Sequence, residues 1–166
     1  MSATATYVPP SARERLEIIQ RTRRVAVVGM SSDPSRASYF VATYLLSSTC
    51  DFDAVWFVNP QGGEALGRTV YRSLDDLPGT PDLVDVFRRA DALPQVAEEV
   101  VALGSVATFW CQLGLVSDEA AAIAGSAGLD VVMNRCLKIE HARFHGGLHL
   151  AGFDTGVISS RRVREL

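Results

Sequence analysis

Five short apolar runs rich in β-branched residues, each ending at a residue that turns or breaks the backbone, constrain the fold of this chain more than any other feature. Val25–Val28 stops at Gly29, Ala54–Val58 at Asn59 and Pro60, Leu83–Phe87 at Arg88, Val106–Cys111 at Gln112, and Asp130–Met133 at Asn134. Runs that are apolar throughout, rather than alternating, predict strands buried on both faces. Between them, Tyr39–Leu46, about Leu93–Leu103 and the alanine-rich stretch of about Ser117–Ala127 have helical character. Strand followed by helix, repeated, predicts an α/β fold built on a doubly wound, mainly parallel five-stranded sheet with helices on both faces.

The flanks read differently. Residues 1–10 are small, polar and proline-terminated and predict a flexible leader, after which Ser11 offers a cap to a first helix. Glu64–Pro78 lacks sustained periodicity and predicts a loop with a short helix. From His141 onward, glycines at 146, 147, 152 and 156 predict an irregular tail over 141–166, packed on the same domain that occupies 11–140. One domain suits 166 residues, a length that buries about two-thirds of the unfolded chain's surface.

Composition narrows the partners. Hydrophobic residues at 48% and charged residues at 21% describe a globular protein, and a net charge of −3 provides no field to hold nucleic acid. No apolar run approaches the roughly 20 residues that cross a bilayer. Cys50, Cys111 and Cys136, widely spaced and without a signal peptide ahead of Tyr7, predict a reduced, cytoplasmic protein. The clustered arginines of the first helix (Arg13, Arg15, Arg21, Arg23, Arg24) and of Arg161–Arg164 read as solvated surface. A homo-oligomer or a protein partner remains open.

In parallel α/β sheets, ligands bind beyond the carboxyl ends of the strands, so the residues just after each run are the candidates. Gly29 permits a tight turn, Ser31, Ser32, Ser35 and Ser38 offer hydroxyls, and the helix that follows starts with free N–H groups, which together form a phosphate cradle. The competing reading is that Ser and Asp33 cap the helix and Pro34 shapes the turn with no ligand at all. Arg36, Arg88 and Arg89 fall at the same predicted edge and bind phosphate oxygens bidentately, or pair with Asp33, Asp85 and Asp91. Nicotinamide binding loses its usual supports: Gly29–Pro34 reads Gly-Met-Ser-Ser-Asp-Pro in place of GxGxxG, and Asn59-Pro60 stands where an acidic residue would hold the ribose.

Gly29-x-Ser-x-x-Pro-x-Arg-x-Ser-Tyr39, Val58-Asn-Pro60, Asp85–Arg89, Trp110-x-Gln-Leu-Gly114 and Val132–Glu140, five motifs in order, resemble the small stand-alone CoA-binding protein family. That family is similar to the N-terminal CoA-binding domain of the succinyl-CoA synthetase alpha subunit. The resemblance implies a Rossmann-like domain that binds a small-molecule ligand, coenzyme A or an acyl-CoA. By position, Gly29, Ser31, Ser32, Pro34, Arg36, Ser38 and Tyr39 would contact the phosphate-bearing nucleotide. Asn59 and Pro60 would shape the nucleotide side, while Phe87, Arg88, Arg89, Gln112, Leu113 and Gly114 would line the crevice. Gln61 stands where relatives place a basic residue, so its amide would hydrogen-bond rather than pair with charge.

No catalytic constellation emerges, and 166 residues leave no room for the phosphohistidine and ligase regions of a synthetase. The chain reads as a binding module. His141, His145 and His149 at i, i+4, i+8 spacing form a nominal metal set that Gly146-Gly147 interrupts, leaving hydrogen bonding or exposure as their reading. Cys111, predicted at a strand end, or Cys136 could react with the CoA thiol, or be simply buried. Glu140 could act as a base or pair with Lys138. A diverged NAD(P)-dependent oxidoreductase and a scaffold that has lost its ligand are the alternatives to CoA binding.

Overall fold

A computed structural model describes residues 6–145. All five expected strands form: β1 (Arg24–Val28), β2 (Ala54–Val58), β5 (Leu83–Val86), β6 (Thr108–Cys111) and β7 (Asp130–Val132). The sheet nevertheless has seven strands, because β3 (Glu64–Ala65) and β4 (Arg68–Tyr71) arise where a loop was expected. Only Ala65 and Val70 of this pair are buried, so neither strand has the continuous apolar run that marks the others. The expected short helix follows as a 3₁₀ turn at Leu74–Asp76.

Strand order is β3-β4-β2-β1-β5-β6-β7, and every pairing is parallel except β3 with β4. Counted along the chain without β3, the parallel strands lie in the order 3-2-1-4-5-6, that of the dinucleotide-binding Rossmann sheet. The helices are α1 (Ala12–Arg21), α2 (Ala37–Leu45), α3 (Leu93–Ala102), α4 (Asp118–Ser126) and α5 (Leu137–His145).

Strand residues alternate between two cores. Val25, Val27, Phe57, Leu83 and Trp110 pack with Ile18, Val41, Leu45 and Leu137 of α1, α2 and α5. Ala26, Val28, Val84, Val86, Phe109 and Cys111 pack with Leu93, Val96, Ala97, Ala120 and Ala124 of α3 and α4. Burial on both faces is why these runs are apolar at every position.

Both flanks are more ordered than their sequences suggest. Tyr7, in the expected flexible leader, donates its N–H to Asp118 at 2.9 Å and accepts the Met133 N–H on its hydroxyl at 2.8 Å. Ser11 then forms a reciprocal capping box with Glu14. The expected irregular tail is helical from His141 to His145, since α5 continues over Phe144, which reaches the core; His149 and residues 146–166 lie outside the described residues. α5 is held by a buried carboxylate: Glu140 accepts from Arg15 Nε at 2.9 Å and has guanidinium nitrogens of Arg135 and Arg143 each at 3.6 Å. Arg15 is therefore not solvated surface, and Lys138 is not the Glu140 partner; its ammonium sits 3.6 Å from the centre of the Phe40 ring. Arg21 pairs with Asp130 and Arg23 with Asp53.

Candidate functional site

Strand order reverses between β1 and β5, so the crevice that such sheets use opens beyond Val28 and Val86. Gly29 and Phe87 form its floor. A Cβ on Gly29 would stand 2.2 Å from the Phe87 carbonyl oxygen, and Gly29 adopts φ +86°. Close approach and left-handed backbone both demand glycine here. The turn is pinned from β2: Gly29 and Met30 donate N–H to the Val58 carbonyl at 2.9 and 3.1 Å, and Asn59 Nδ2 donates to the Met30 carbonyl at 2.9 Å. Asn59 Oδ1 accepts the Gln61 N–H at 3.0 Å, so both halves of that amide shape backbone.

The α2 terminus next to this turn differs from those of α1 and α4. Ser11 and Ser117 cap α1 and α4, whereas Arg36, at the same place on α2, makes no side-chain cap, and the first turn of α2 has no acidic residue. Asp33 and Ser31, the residues the sequence offers as caps, are occupied within the loop. Asp33 accepts from the N–H and hydroxyl of Ser35 at 2.9 and 2.8 Å, and Ser31 Oγ accepts the Asp33 N–H at 3.1 Å. Those Ser35 bonds hold the Asp33 carboxyl below its ordinary range. Buried Ser38 accepts the Ser31 N–H at 3.0 Å, which folds the loop over the helix start. The positive end of α2 is left facing the crevice.

A cavity of about 450 Å³ occupies the crevice, lined by Gly29, Ser31, Arg36, Ser38, Phe87, Gln112 and Leu113, with Ala37 and Leu115 in addition. The last two escape a reading of residue types, because neither carries a polar group. Position alone marks them: Ala37 opens α2, and Leu115 closes the turn after β6, its N–H bonded to the Gln112 carbonyl at 3.0 Å. Asn134 sets that turn by accepting the Gly114 N–H at 2.8 Å.

The other candidates surround rather than line this cavity. Ser32 and Pro34 are exposed in the loop, Tyr39 packs against the α1/α2/α5 core, and Asn59, Pro60 and Gln61 follow β2. The three arginines are not equivalent. Arg36 stands in the wall with a loose contact to Asp33 at 4.0 Å, and the Arg88 side chain passes 3.3 Å from the place a Gly29 Cβ would occupy. Arg89 instead pairs with Asp91 at 3.3 Å on the exposed surface.

Burial divides the polar groups further. Among the described residues, three buried side-chain oxygens have no hydrogen-bond partner: Gln112 Oε1 in the cavity wall, and both carboxylate oxygens of Asp85 in β5. Complete burial raises the Asp85 carboxyl well above its ordinary range. Cys111 faces the α3/α4 core, away from the Asp85 face, and burial together with Asp85 holds its thiol protonated. Cys136 lies in the other core. Neither cysteine lines the cavity. His141 is buried, its Nδ1 2.9 Å from the Tyr44 hydroxyl and 3.7 Å from Cys50 Sγ, and burial lowers it to about 4 while raising Cys50 to about 11. A larger groove, about 1080 Å³, runs between α1 and α4, but Glu14, Glu17 and Asp130 line it against a single Arg21, a poor surface for an anion.

The sequence and the fold match known proteins. Residues 23–142 match the family described as CoA binding domain. YneT of Bacillus subtilis strain 168 is 41% identical over 133 residues, covering 80% of this chain and 96% of that protein. A structure described as a hypothetical protein from Pyrococcus horikoshii OT3 superposes with TM-score 0.77 at 34% identity, over 88% of this chain and all of that one (100%). The structure of cell-free ID.343 from Thermus thermophilus gives TM-score 0.73 at 34% identity, over 81% and 98%. A dinucleotide-forming acetyl-coenzyme A synthetase of Candidatus Korarchaeum cryptofilum shares the fold at TM-score 0.59 and 24% identity; 68% of this chain covers 26% of that one. The match spans every parallel strand and both walls of the crevice, and the chain belongs to the CoA-binding domain family.

Proposed function

We propose that this protein binds coenzyme A, free or as a thioester, in the crevice between β1 and β5, and acts as a binding module rather than as a complete CoA ligase. The observation that carries this reading is the uncapped start of α2 at the cavity wall, with Arg36 beside it. A helix start without a cap or an acidic residue favours an anion, and the pyrophosphate of CoA supplies one. Ser31 and Ser38 each accept a backbone N–H and retain a hydroxyl hydrogen to donate to phosphate. Phe87, Leu113 and Leu115 supply apolar wall for the rest of the ligand, and about 450 Å³ falls within the roughly 300–1,000 Å³ of small-molecule sites. Asn59, Pro60 and Gln61 bound the adenosine side, with Arg88 within reach of the phosphates. Three unpaired thiols suit a reducing cytoplasm, and no described helix is long and apolar enough to cross a membrane.

Calorimetric titration with CoA tests the proposal, with NAD(H) and NADP(H) as controls. CoA is expected to bind in preference to both nicotinamides, and Arg36→Ala to weaken CoA about tenfold without lowering the melting temperature, since that side chain is exposed. Absence of binding heat at high CoA concentration overturns the proposal.

A further inference from the structure

Gln112 holds a buried acceptor that the described residues leave empty. The residue is 8% exposed, it lines the cavity, and its Oε1 has no hydrogen-bond partner. The backbone around it is fully engaged: its N–H continues the sheet by donating to the Val86 carbonyl at 3.2 Å, and its carbonyl accepts the Leu115 N–H at 3.0 Å. The position of the side chain is therefore set by β6 and the turn, not by a bond of its own. Two residues beyond Trp110, it shares the sheet face that carries α1, α2 and α5.

An unpartnered buried carbonyl costs stability, so what matters is which donor completes it. Phosphates at neutral pH only accept, which excludes the pyrophosphate. In Rossmann-type sheets the phosphates sit at the helix start and the adenosine ribose lies beyond the second strand, on one side of the strand-order reversal. Gln112 follows β6, on the other side of the reversal from β2. Chain direction thus sends the non-nucleotide arm of the ligand past Gln112. That arm carries amide N–H donors and apolar carbons, and Phe87, Leu113 and Leu115 supply the matching apolar wall.

Building on the CoA reading, we infer that Gln112 Oε1 accepts a hydrogen bond from a pantetheine amide N–H and so positions the pantetheine arm. It distinguishes a ligand with that arm from a bare nucleotide.

The test is Gln112→Met, which keeps length and removes the acceptor, measured by calorimetry against CoA, 4′-phosphopantetheine and 3′,5′-ADP, with thermal unfolding alongside. CoA and 4′-phosphopantetheine are expected to bind about fivefold to tenfold more weakly, 3′,5′-ADP is expected to bind unchanged, and the melting temperature is expected to hold or rise. Equal weakening of all three ligands, or unchanged CoA affinity, overturns the assignment. So does a lower melting temperature, which would show that the carbonyl already has a partner in the free protein. Wild-type protein that binds no CoA removes the CoA reading and this assignment together, whereas wild-type binding with an indifferent Gln112→Met removes this assignment alone.

Discussion

Glu140 on α5 and the pair Asp85 and Gln112 on β5 and just after β6 are buried polar groups within one small domain, and their surroundings are opposite. Glu140 meets guanidinium groups from Arg15, Arg135 and Arg143, tying α1 and the turn after β7 to α5. Among the described residues, both Asp85 carboxylate oxygens and Gln112 Oε1 meet no hydrogen-bond partner. A polar group whose partners all come from the chain holds the architecture together. One left open lowers stability; Gln112, which lines the cavity, makes sense where something outside the chain completes it, whereas Asp85 lies within β5 and is not part of that lining.

The largest effect that probes this contrast is loss of the Glu140 charge. Glu140→Gln leaves the Arg15 guanidinium, 6% exposed, without its carboxylate, and is expected to cost about 3–5 kcal/mol in urea unfolding. CoA binding by the fraction still folded should be unchanged. A cost near zero would erase the distinction between the two regions.

Asp85→Val is expected to act in the other direction, raising stability by about 1–3 kcal/mol at neutral pH. Burial raises the folded-state pKa of Asp85, so ionisation of the unfolded chain penalises the wild type as pH climbs above 3.8. The gain should therefore be smallest in acid and grow toward neutrality. A destabilised Asp85→Val protein would show that the carboxyl has a partner in the folded state.

A smaller, pH-dependent effect belongs to the closed side. His141 is buried neutral against Tyr44, with a folded value of about 4 against 6.5 for the free side chain. The unfolded chain takes up the proton first, so the contribution of His141 is complete above 6.5 and is lost as pH falls from 6.5 toward 4. The melting temperature should fall across that window in wild type and fall less in His141→Phe. Equal slopes would show that burial does not lower His141.

Legibility followed burial. Strands covered on both faces must be apolar at every position, so β1, β2, β5, β6 and β7 stand out as runs and the parallel order follows from helices between them. β3 and β4 are short and half-exposed, with Glu64, Arg68 and Thr69 facing solvent, and no pattern in one dimension separates them from a loop. The start of α5 was equally hidden, because Leu137–Glu140 reads as a motif while the Arg15 that its buried Glu140 meets lies 125 residues earlier. At the crevice, Gly29 and the loop to Ser38 were visible from residue type and place, whereas the equivalence of Arg36, Arg88 and Arg89 was not real.

The chain's own sequence determined the alternation of strand and helix, the glycine at the first turn and the absence of an acidic residue after β2, because apolar periodicity and backbone freedom are local properties. Tertiary structure alone decided that Glu140 of α5 meets Arg15 of α1, that the cavity wall gathers the start of α2, Phe87 and the turn after β6, and that among the described residues Gln112 Oε1 finds no partner. Whether a polar group is satisfied depends on what lies within about 3 Å of it in three dimensions, and neighbours at that distance come from residues far apart in the chain.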